Sequence, residues 1–329
     1  MVIGHEWAVE LLKRSLALNH LAHAYLFVGP PRIGKTTLAL FLARAVNCLN
    51  EGNRPCGICT ACQAISRGVH PDVQVIDEEG GSIKIAQIRA LQKEAALFPF
   101  EGRRRVYILC NFQHATLEAA NCLLKTLEEP PSSVLFILTA DKVEGLLPTI
   151  VSRCQVLKLR PLAAEQVERA LKTYWGTEPS QARKLARLSG GRMGWAIEAS
   201  SNDALLLNRK KYLIALEQAL GQGRTERMKL AQQLSQSPEV LPELLGLWQN
   251  WWRDLLLAKS GNVHAMTDLE REPTVLDEVQ QYTLNEIWAC LRAIEHAAEQ
   301  IEQNVNPCLA LEVLLLSLPQ RNDSKSEIR

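Results

Sequence analysis

The segment Gly29 to Thr36 constrains the fold most strongly, because it reads G-x-x-x-x-G-K-[ST] in full. An apolar run at 24–28 precedes it, and a helical pattern follows it. Strand, glycine-rich loop and helix in this order build a phosphate-binding loop, in which backbone N–H groups and the helix N-terminus face phosphate oxygens. A surface turn that matches by chance is the alternative, and the flanking elements argue against it.

Each residue of the loop has a defined task in such a site. Gly29 and Gly34 permit the tight turn, while Lys35 offers its ammonium group to the β- and γ-phosphates and Thr36 offers its hydroxyl to Mg²⁺. Thr37 opens the helix behind the loop, so we count it among the nucleotide-binding residues. ATP with Mg²⁺ is therefore the cofactor that this segment predicts.

The strand expected to supply the catalytic acids ends without one. Hydrolytic sites of this kind need an Asp at a strand end to hold the Mg²⁺ shell, together with a residue that orients the attacking water. Here the candidate strand ends at Leu109 and is followed by Cys110 and Asn111. The sequence therefore predicts nucleotide binding with weak or absent hydrolysis. Asp77 or Glu78, in an acidic and glycine-rich stretch, is an alternative source of the acid.

Four of the nine cysteines lie close together, at Cys48, Cys56, Cys59 and Cys62. Their two-residue spacers let thiolates converge on one tetrahedral Zn²⁺, and four protein ligands close the coordination sphere, as in structural sites. A redox C-x-x-C pair is the alternative, but it would leave two of the thiols unexplained. The sequence predicts a structural zinc ion.

Further motifs follow the loop in a fixed order over nearly the whole chain. They are the cysteine cluster, His70 to Asp72, the run Glu118 to Pro131, Ser152-Arg153-Cys154 and Leu309 to Glu312. Together with His23 to Phe27 before the loop, they resemble the bacterial clamp-loader subunits of the AAA+ class. The resemblance implies an α/β P-loop domain with a parallel sheet, a small helical lid domain and an all-helical collar domain.

Within this family the resemblance implies the delta' type of DNA polymerase III subunit, which does not hydrolyse ATP, in preference to the gamma/tau type, which does. Subunits of the gamma/tau type place an arginine in the lid motif G-x-x-R-x-A, where this chain has Gly194, and Arg192 comes too early to replace it. Because delta' subunits often have a degraded phosphate loop, the intact loop here leaves nucleotide binding open. An active gamma/tau-type ATPase is the alternative.

The resemblance also implies that Arg153 acts in trans, as an arginine finger in the nucleotide site of an adjacent gamma/tau subunit. Such fingers contribute roughly 10³–10⁵ in rate in well-studied nucleotide hydrolases. Thr139 matches the polar sensor on the neighbouring strand. The alternatives are an ordinary surface arginine and an ordinary strand-end threonine. The implied partners are the gamma/tau and delta subunits and, through the assembly, the sliding clamp and primer–template DNA.

The element pattern predicts the domain boundaries. Residues 1–160 alternate between strands and helices, with the zinc knuckle inserted at 48–62, which predicts a P-loop domain with a parallel sheet. Residues 161–202 have the size of a lid domain, residues 203–319 read as the helical collar, and the polar residues 320–329 predict a disordered tail. Within the collar, Trp248 and Trp252 fall on an apolar helical stripe, with Trp251 beside them, which predicts core or subunit packing in preference to base stacking.

The composition of the chain argues against DNA binding by this protein alone and against a membrane span. Lys and Arg number 37 against 36 Asp and Glu, so the chain lacks the basic surplus of a protein that grips DNA alone. A stand-alone zinc-dependent DNA-binding module is therefore the least favoured alternative. The apolar runs are far shorter than the ~20 residues of a membrane span. No signal-peptide pattern opens the sequence, and together with the cysteine content this predicts a cytoplasmic location.

Overall fold

The computed structural model describes residues 2–263, 266–267, 278–303 and 305–320. It divides into two compact units, residues 1–197 and 198–329. The sheet, the phosphate loop, the cysteine cluster and the segment 161–197 belong to the first unit. Apart from Gln320, the predicted disordered tail lies outside the described residues. Within the described ranges, no helix combines the length and the apolar character that crossing a membrane requires.

Five parallel strands form the sheet of the first unit, in the order β2-β3-β4-β1-β5. Their bounds are β1 Ala24–Val28, β2 Val73–Ile76, β3 Arg105–Leu109, β4 Val134–Ala140 and β5 Gln155–Lys158. This confirms the α/β fold with a parallel sheet. Because the loop that follows β1 emerges between the ends of β4 and β5, residues just beyond β4 lie beside it.

Helices cover both faces of this sheet, which is why β1 and β4 are buried along their whole length. Side chains alternate between the faces: Leu26 packs in one hydrophobic cluster, whereas Tyr25 and Phe27 pack in the other. The helices of the first unit are α1 (Glu6–Ala17), α2 (Lys35–Asn47), α3 (Thr60–Ser66), α4 (Ile85–Ala95), α5 (Leu117–Glu128), α6 (Pro148–Val151), α7 (Ala164–Trp175), α8 (Pro179–Leu188) and α9 (Met193–Ser201), the last of which runs past the boundary.

The second unit is helical throughout its described elements, as the collar pattern predicts. Its α-helices are α10 (Ala204–Gly221), α11 (Arg224–Leu234), α12 (Leu241–Lys259), α13 (Leu284–Glu302) and α14 (Pro307–Ser317). Trp248 and Trp252 are fully buried and Trp251 is nearly so. The indole N–H of Trp248 donates to the carbonyl of Tyr212 at 2.9 Å, which ties α12 to α10. The tryptophans therefore belong to the core, as predicted, and are not free for base stacking.

Candidate nucleotide, metal and finger sites

The phosphate loop leaves β1 after Val28 and leads into α2 at Lys35, as the motif predicts. Gly34 has a φ of +111°, a conformation that glycine adopts without the strain that a Cβ would cause. Gly29 is needed for a different reason: a Cβ there would come within 2.6 Å of the carbonyl oxygen of Leu159. The two glycines thus let the loop turn and pack closely on the chain after β5.

The ammonium group of Lys35 is held inside the loop, and the lysine side chain is only 6% exposed. It donates to the carbonyl of Gly29 at 2.5 Å, to the carbonyl of Pro30 at 3.3 Å and to Oδ1 of Asp141 at 2.5 Å. Thr36 and Thr37 lie exposed in the first turn of α2. The sequence predicted the lysine and the threonines, but not the carboxylate that pairs with the lysine.

The end of β3 brings a neutral side chain next to the loop. Sγ of Cys110 lies 4.0 Å from Oγ1 of Thr36, the hydroxyl assigned to Mg²⁺. Burial, and secondly the charge of Asp77, raises the pKa of the Cys110 thiol to about 11. The thiol therefore stays protonated at neutral pH and offers no charge to a metal ion. This geometry fits the prediction of a site whose hydrolytic acid has been replaced.

The two candidate acids after β2 differ in their surroundings. Glu78 is engaged by its neighbours, since its Oε1 accepts from Nδ2 of Asn111 at 3.2 Å and lies 2.7 Å from Nδ1 of His114. Asp77 is exposed, and its charge acts on the Cys110 thiol. A carboxylate is thus present one strand away from the usual position, and Asp77 is the better placed of the two.

Thr139 lies within β4 and is 1% exposed. Its Oγ1 accepts the backbone N–H of Asn111 at 3.0 Å, so the hydroxyl bridges the ends of β3 and β4 at the edge of the sheet that carries the loop. The predicted sensor residue therefore lies at the expected edge of the sheet. Its role as a sensor stays a prediction.

Gly194 stands where the resemblance places an arginine in ATPase subunits, and its backbone contacts the loop. The N–H of Gly194 donates to the carbonyl of Arg32 at 2.9 Å. A Cβ on Gly194 would come within 2.7 Å of that oxygen, so a longer side chain would push the two segments apart. Arg192 donates through Nε to the carbonyl of Ser189 at 2.8 Å and lies over the ring of Trp195.

A cavity of about 600 Å³ beside the loop was not predicted from the sequence. Its volume falls in the range of small-molecule sites. His5 borders it and also reaches the loop, because its Nε2 donates to the carbonyl of Ile33 at 3.2 Å, and burial lowers the pKa of this imidazole. The lining residues are Gly4, His5, Trp7, Val156, Leu157, Lys158, Arg160, Pro161, Leu162 and Gln166.

The four predicted metal ligands converge. Sγ atoms of Cys48, Cys56, Cys59 and Cys62 all lie within 4.8 Å of one another, and none forms a disulfide. A tetrahedral zinc ion with Zn–S bonds of about 2.3 Å holds its sulfurs about 3.8 Å apart, so the cluster fits with a small contraction. Backbone N–H groups of three of these cysteines point at sulfurs of the others at 3.4 Å each, as expected where thiolates are stabilised.

The electrostatics of this cluster also favour a cation. Burial and the neighbouring thiols raise the pKa of Cys62 to about 12. Although burial opposes it, N–H donation from Cys62 and Leu49 lowers the pKa of Cys59 to about 6. One thiol thus ionises readily while another resists a further negative charge in the same space. A dication removes that conflict, so the donor set fits zinc.

Arg153 lies at the surface, between α6 and β5, with its side chain 33% exposed. Its Nη2 donates to Oε1 of Glu128 at 2.6 Å, and its Nη1 donates to the carbonyl of Thr149 at 2.9 Å. Ser152, the preceding residue, accepts a longer bond from Nη1 at 3.4 Å. The guanidinium is therefore held in one orientation at the surface, and the sequence did not predict the contact with Glu128.

Comparison with known proteins decides the family. A family model described as DNA polymerase III, delta subunit, matches residues 4–163. The DNA polymerase III subunit delta' of Bacillus subtilis is 32% identical over 95% of this chain and 95% of its own length. The chain belongs to the DNA polymerase III clamp-loader family. Its resemblance to the delta' subunit, which the motifs predicted, is confirmed.

Two tau subunits match over a smaller share of their own length than the delta' subunit does. The tau subunit of Escherichia coli is 35% identical over 63% of this chain but only 32% of that protein. The tau subunit of B. subtilis is 25% identical over 97% of this chain and 61% of its own length. Among solved structures, a gamma-subunit-related protein of Thermotoga maritima has a TM-score of 0.41 at 17% identity and covers 94% of this chain and 99% of its own.

Proposed function

We propose that this clamp-loader subunit is a delta' subunit that does not hydrolyse ATP itself. The observation that carries the proposal is the end of β3, where a protonated thiol, Cys110, lies 4.0 Å from the hydroxyl of Thr36. Phosphoryl transfer depends on positioning and on charge around Mg²⁺. A neutral thiol supplies neither the charge nor a base. The segment 161–197 supports the same conclusion, since Gly194 brings no cation to the loop.

The intact loop supports nucleotide binding by this subunit. Lys35, Thr36 and Thr37 surround the N-terminus of α2, whose partial positive charge favours phosphates. The neighbouring cavity, which His5 links to the loop, has room for the rest of a nucleotide. Bound ATP with Mg²⁺ would then hold the loop and lid together without being consumed.

The experiment is an ATPase measurement on the purified chain with Mg²⁺, compared with the Lys35→Ala variant. We expect no turnover above that of the variant, because the loop binds phosphate but the end of β3 cannot assist its transfer. Robust turnover that is lost in Lys35→Ala would instead establish the gamma/tau type of activity. That second candidate has one observation in its favour: Asp77 lies close enough to Cys110 to act on its thiol and could supply the acid.

Within the assembly, the chemistry of this subunit would come from Arg153. A guanidinium that reaches a neighbour's nucleotide neutralises charge in the transition state, and its planar fork suits phosphate oxygens. Support comes from its surface position and from the hydrogen bonds that orient it. The partners would be the gamma/tau and delta subunits, and through them the sliding clamp and primer–template DNA, with the helical second unit as the collar.

A structural zinc ion would be held by Cys48, Cys56, Cys59 and Cys62. The cluster joins the end of α2 to α3, so the ion would brace the chain directly behind the helix of the phosphate loop. We expect about one equivalent of zinc in protein purified without chelators, and loss of the metal in a Cys59→Ser/Cys62→Ser variant. Cys308→Ser, outside the cluster, is the matched control. Less than about half an equivalent, with reduced thiols, would contradict the assignment.

A further inference from the structure

Lys35 has no free donor in this structure. A lysine ammonium carries three N–H groups. All three have acceptors within the chain, namely the carbonyls of Gly29 and Pro30 and the carboxylate of Asp141. The same ammonium is the group that a phosphate loop offers to the β- and γ-phosphates. Nucleotide binding by this loop therefore requires Lys35 to exchange at least one of these acceptors for a phosphate oxygen.

Asp141 is the acceptor whose replacement matters most. Its carboxylate is charged, so its bond to the ammonium is stronger than those of the neutral carbonyls. It is also held in place, because it directly follows Ala140, whose carbonyl accepts the N–H of Gly29 at 3.1 Å. Asp141 is one third exposed, so water and a ligand can reach the carboxylate. A phosphate that approaches Lys35 meets the negative charge of Asp141 beside it.

We propose that Asp141 sets the nucleotide affinity of this loop, acting as an internal competitor of the β- and γ-phosphates for Lys35. The competition concerns nucleoside di- and triphosphates. A nucleoside monophosphate has neither a β- nor a γ-phosphate, so the charge of Asp141 should not affect its binding. The proposal rests on the proposed function in one respect: that the loop is a nucleotide site. Asp141 is a specificity-determining residue in this account, and it takes no part in phosphoryl transfer.

The test is equilibrium binding of ATP, ADP and AMP, with Mg²⁺, to the full-length chain and to Asp141→Asn. The substitution removes the charge but keeps the shape. We expect at least tenfold tighter binding of ATP and ADP by the variant and unchanged binding of AMP. Asp141→Glu keeps the charge and should stay near the wild type. Glu144 lies in the same loop and makes no contact with Lys35. Glu144→Gln therefore controls for the loss of a negative charge near the site. Thermal melting confirms that each variant is folded.

The outcomes separate this inference from the proposed function. Equal ATP affinity in the wild type and Asp141→Asn overturns the role of Asp141 and leaves the nucleotide site standing. Weaker binding by Asp141→Asn overturns it too, since the carboxylate would then be positioning Lys35 for phosphate. An equal gain of ATP affinity in Glu144→Gln would overturn it as well. The gain would then come from removing any negative charge near the site, and not from freeing Lys35. If neither the wild type nor Asp141→Asn binds any nucleotide, both the inference and the nucleotide-binding part of the proposed function fail.

Discussion

The two cations on which the proposed function depends are each paired with a carboxylate, and the two pairs differ in their exposure to solvent. Lys35 is 6% exposed and lies 2.5 Å from Asp141. Arg153 is 33% exposed and lies 2.6 Å from Glu128, which is itself half exposed. The distances are nearly equal, but the solvent around the pairs differs. Exposed pairs contribute about 0–1 kcal/mol. Water screens the Lys35 pair less than the Arg153 pair, because Lys35 is almost fully buried although Asp141 is one third exposed.

This difference indicates how easily each cation becomes available. Arg153 can leave Glu128 for a stronger acceptor at little cost, as a group that must act on a neighbouring subunit requires. Lys35 gives up a partner that water screens less, so ligand binding to the loop carries a larger penalty. Arg153 is thus the cation that can exchange its partner at less cost, and Lys35 is the one that is held more firmly.

The largest expected effect belongs to Arg153. In a clamp loader reconstituted with gamma/tau and delta subunits, Arg153→Ala should slow single-turnover hydrolysis at the neighbouring site by roughly 10³–10⁵, the range that arginine fingers contribute. Arg153→Lys keeps the charge but loses the planar fork, so it should recover only part of the rate. Clamp loading, measured in the same samples, should fall in parallel.

The matched control for this prediction is Arg169→Ala, which removes an exposed arginine from α7. It should leave both rates unchanged. If Arg153→Ala hydrolyses ATP and loads clamps like the wild type, Arg153 is an ordinary surface arginine. Lys35 would then be the one cation of the two with a role in the proposed function.

How much of these sites was predictable depends on sequence separation. The phosphate loop and the cysteine cluster are local patterns, so spacing alone identified Gly29, Lys35 and the four cysteines that converge. Asp141 is 106 residues from Lys35, and Glu128 is 25 residues from Arg153. Such contacts follow from strand order and helix placement, which no short motif encodes. The two carboxylates were therefore missed, although both cations that they hold were predicted.

The cavity at His5 was missed for a related reason. It is built from residues at the start of the chain and in α1, which lie far in the sequence from β5 and the adjoining start of the segment 161–197. One local signal was available in retrospect: Gly4 has a φ of +78° and packs against Leu162, where a Cβ would come within 2.2 Å of the leucine side chain. A glycine near the N-terminus has no such meaning until its neighbour in space is known.

The smallest expected effect belongs to Glu128, whose substitution measures the strength of its pair with Arg153. Glu128→Gln keeps an acceptor for Arg153 but removes the charge from an exposed pair. An exposed pair is worth at most about 1 kcal/mol, so the stability of the chain should change by no more than that. In the reconstituted assembly, hydrolysis at the neighbouring site should rise by at most about fivefold, because Arg153 no longer has to leave a charged partner.

Glu129→Gln is the control, since it removes the charge of the next residue, which is also exposed. A tenfold or greater loss of hydrolysis in Glu128→Gln alone would mean that Glu128 positions the finger for its work, because the carbonyl of Thr149 would then be insufficient to orient the guanidinium. If hydrolysis in Glu128→Gln instead rises tenfold or more, as we expect of nucleotide affinity in Asp141→Asn, the two pairs do not differ in strength. From solvent exposure we expect a small gain in hydrolysis when Glu128 loses its charge, and a larger gain in nucleotide affinity when Asp141 loses its charge.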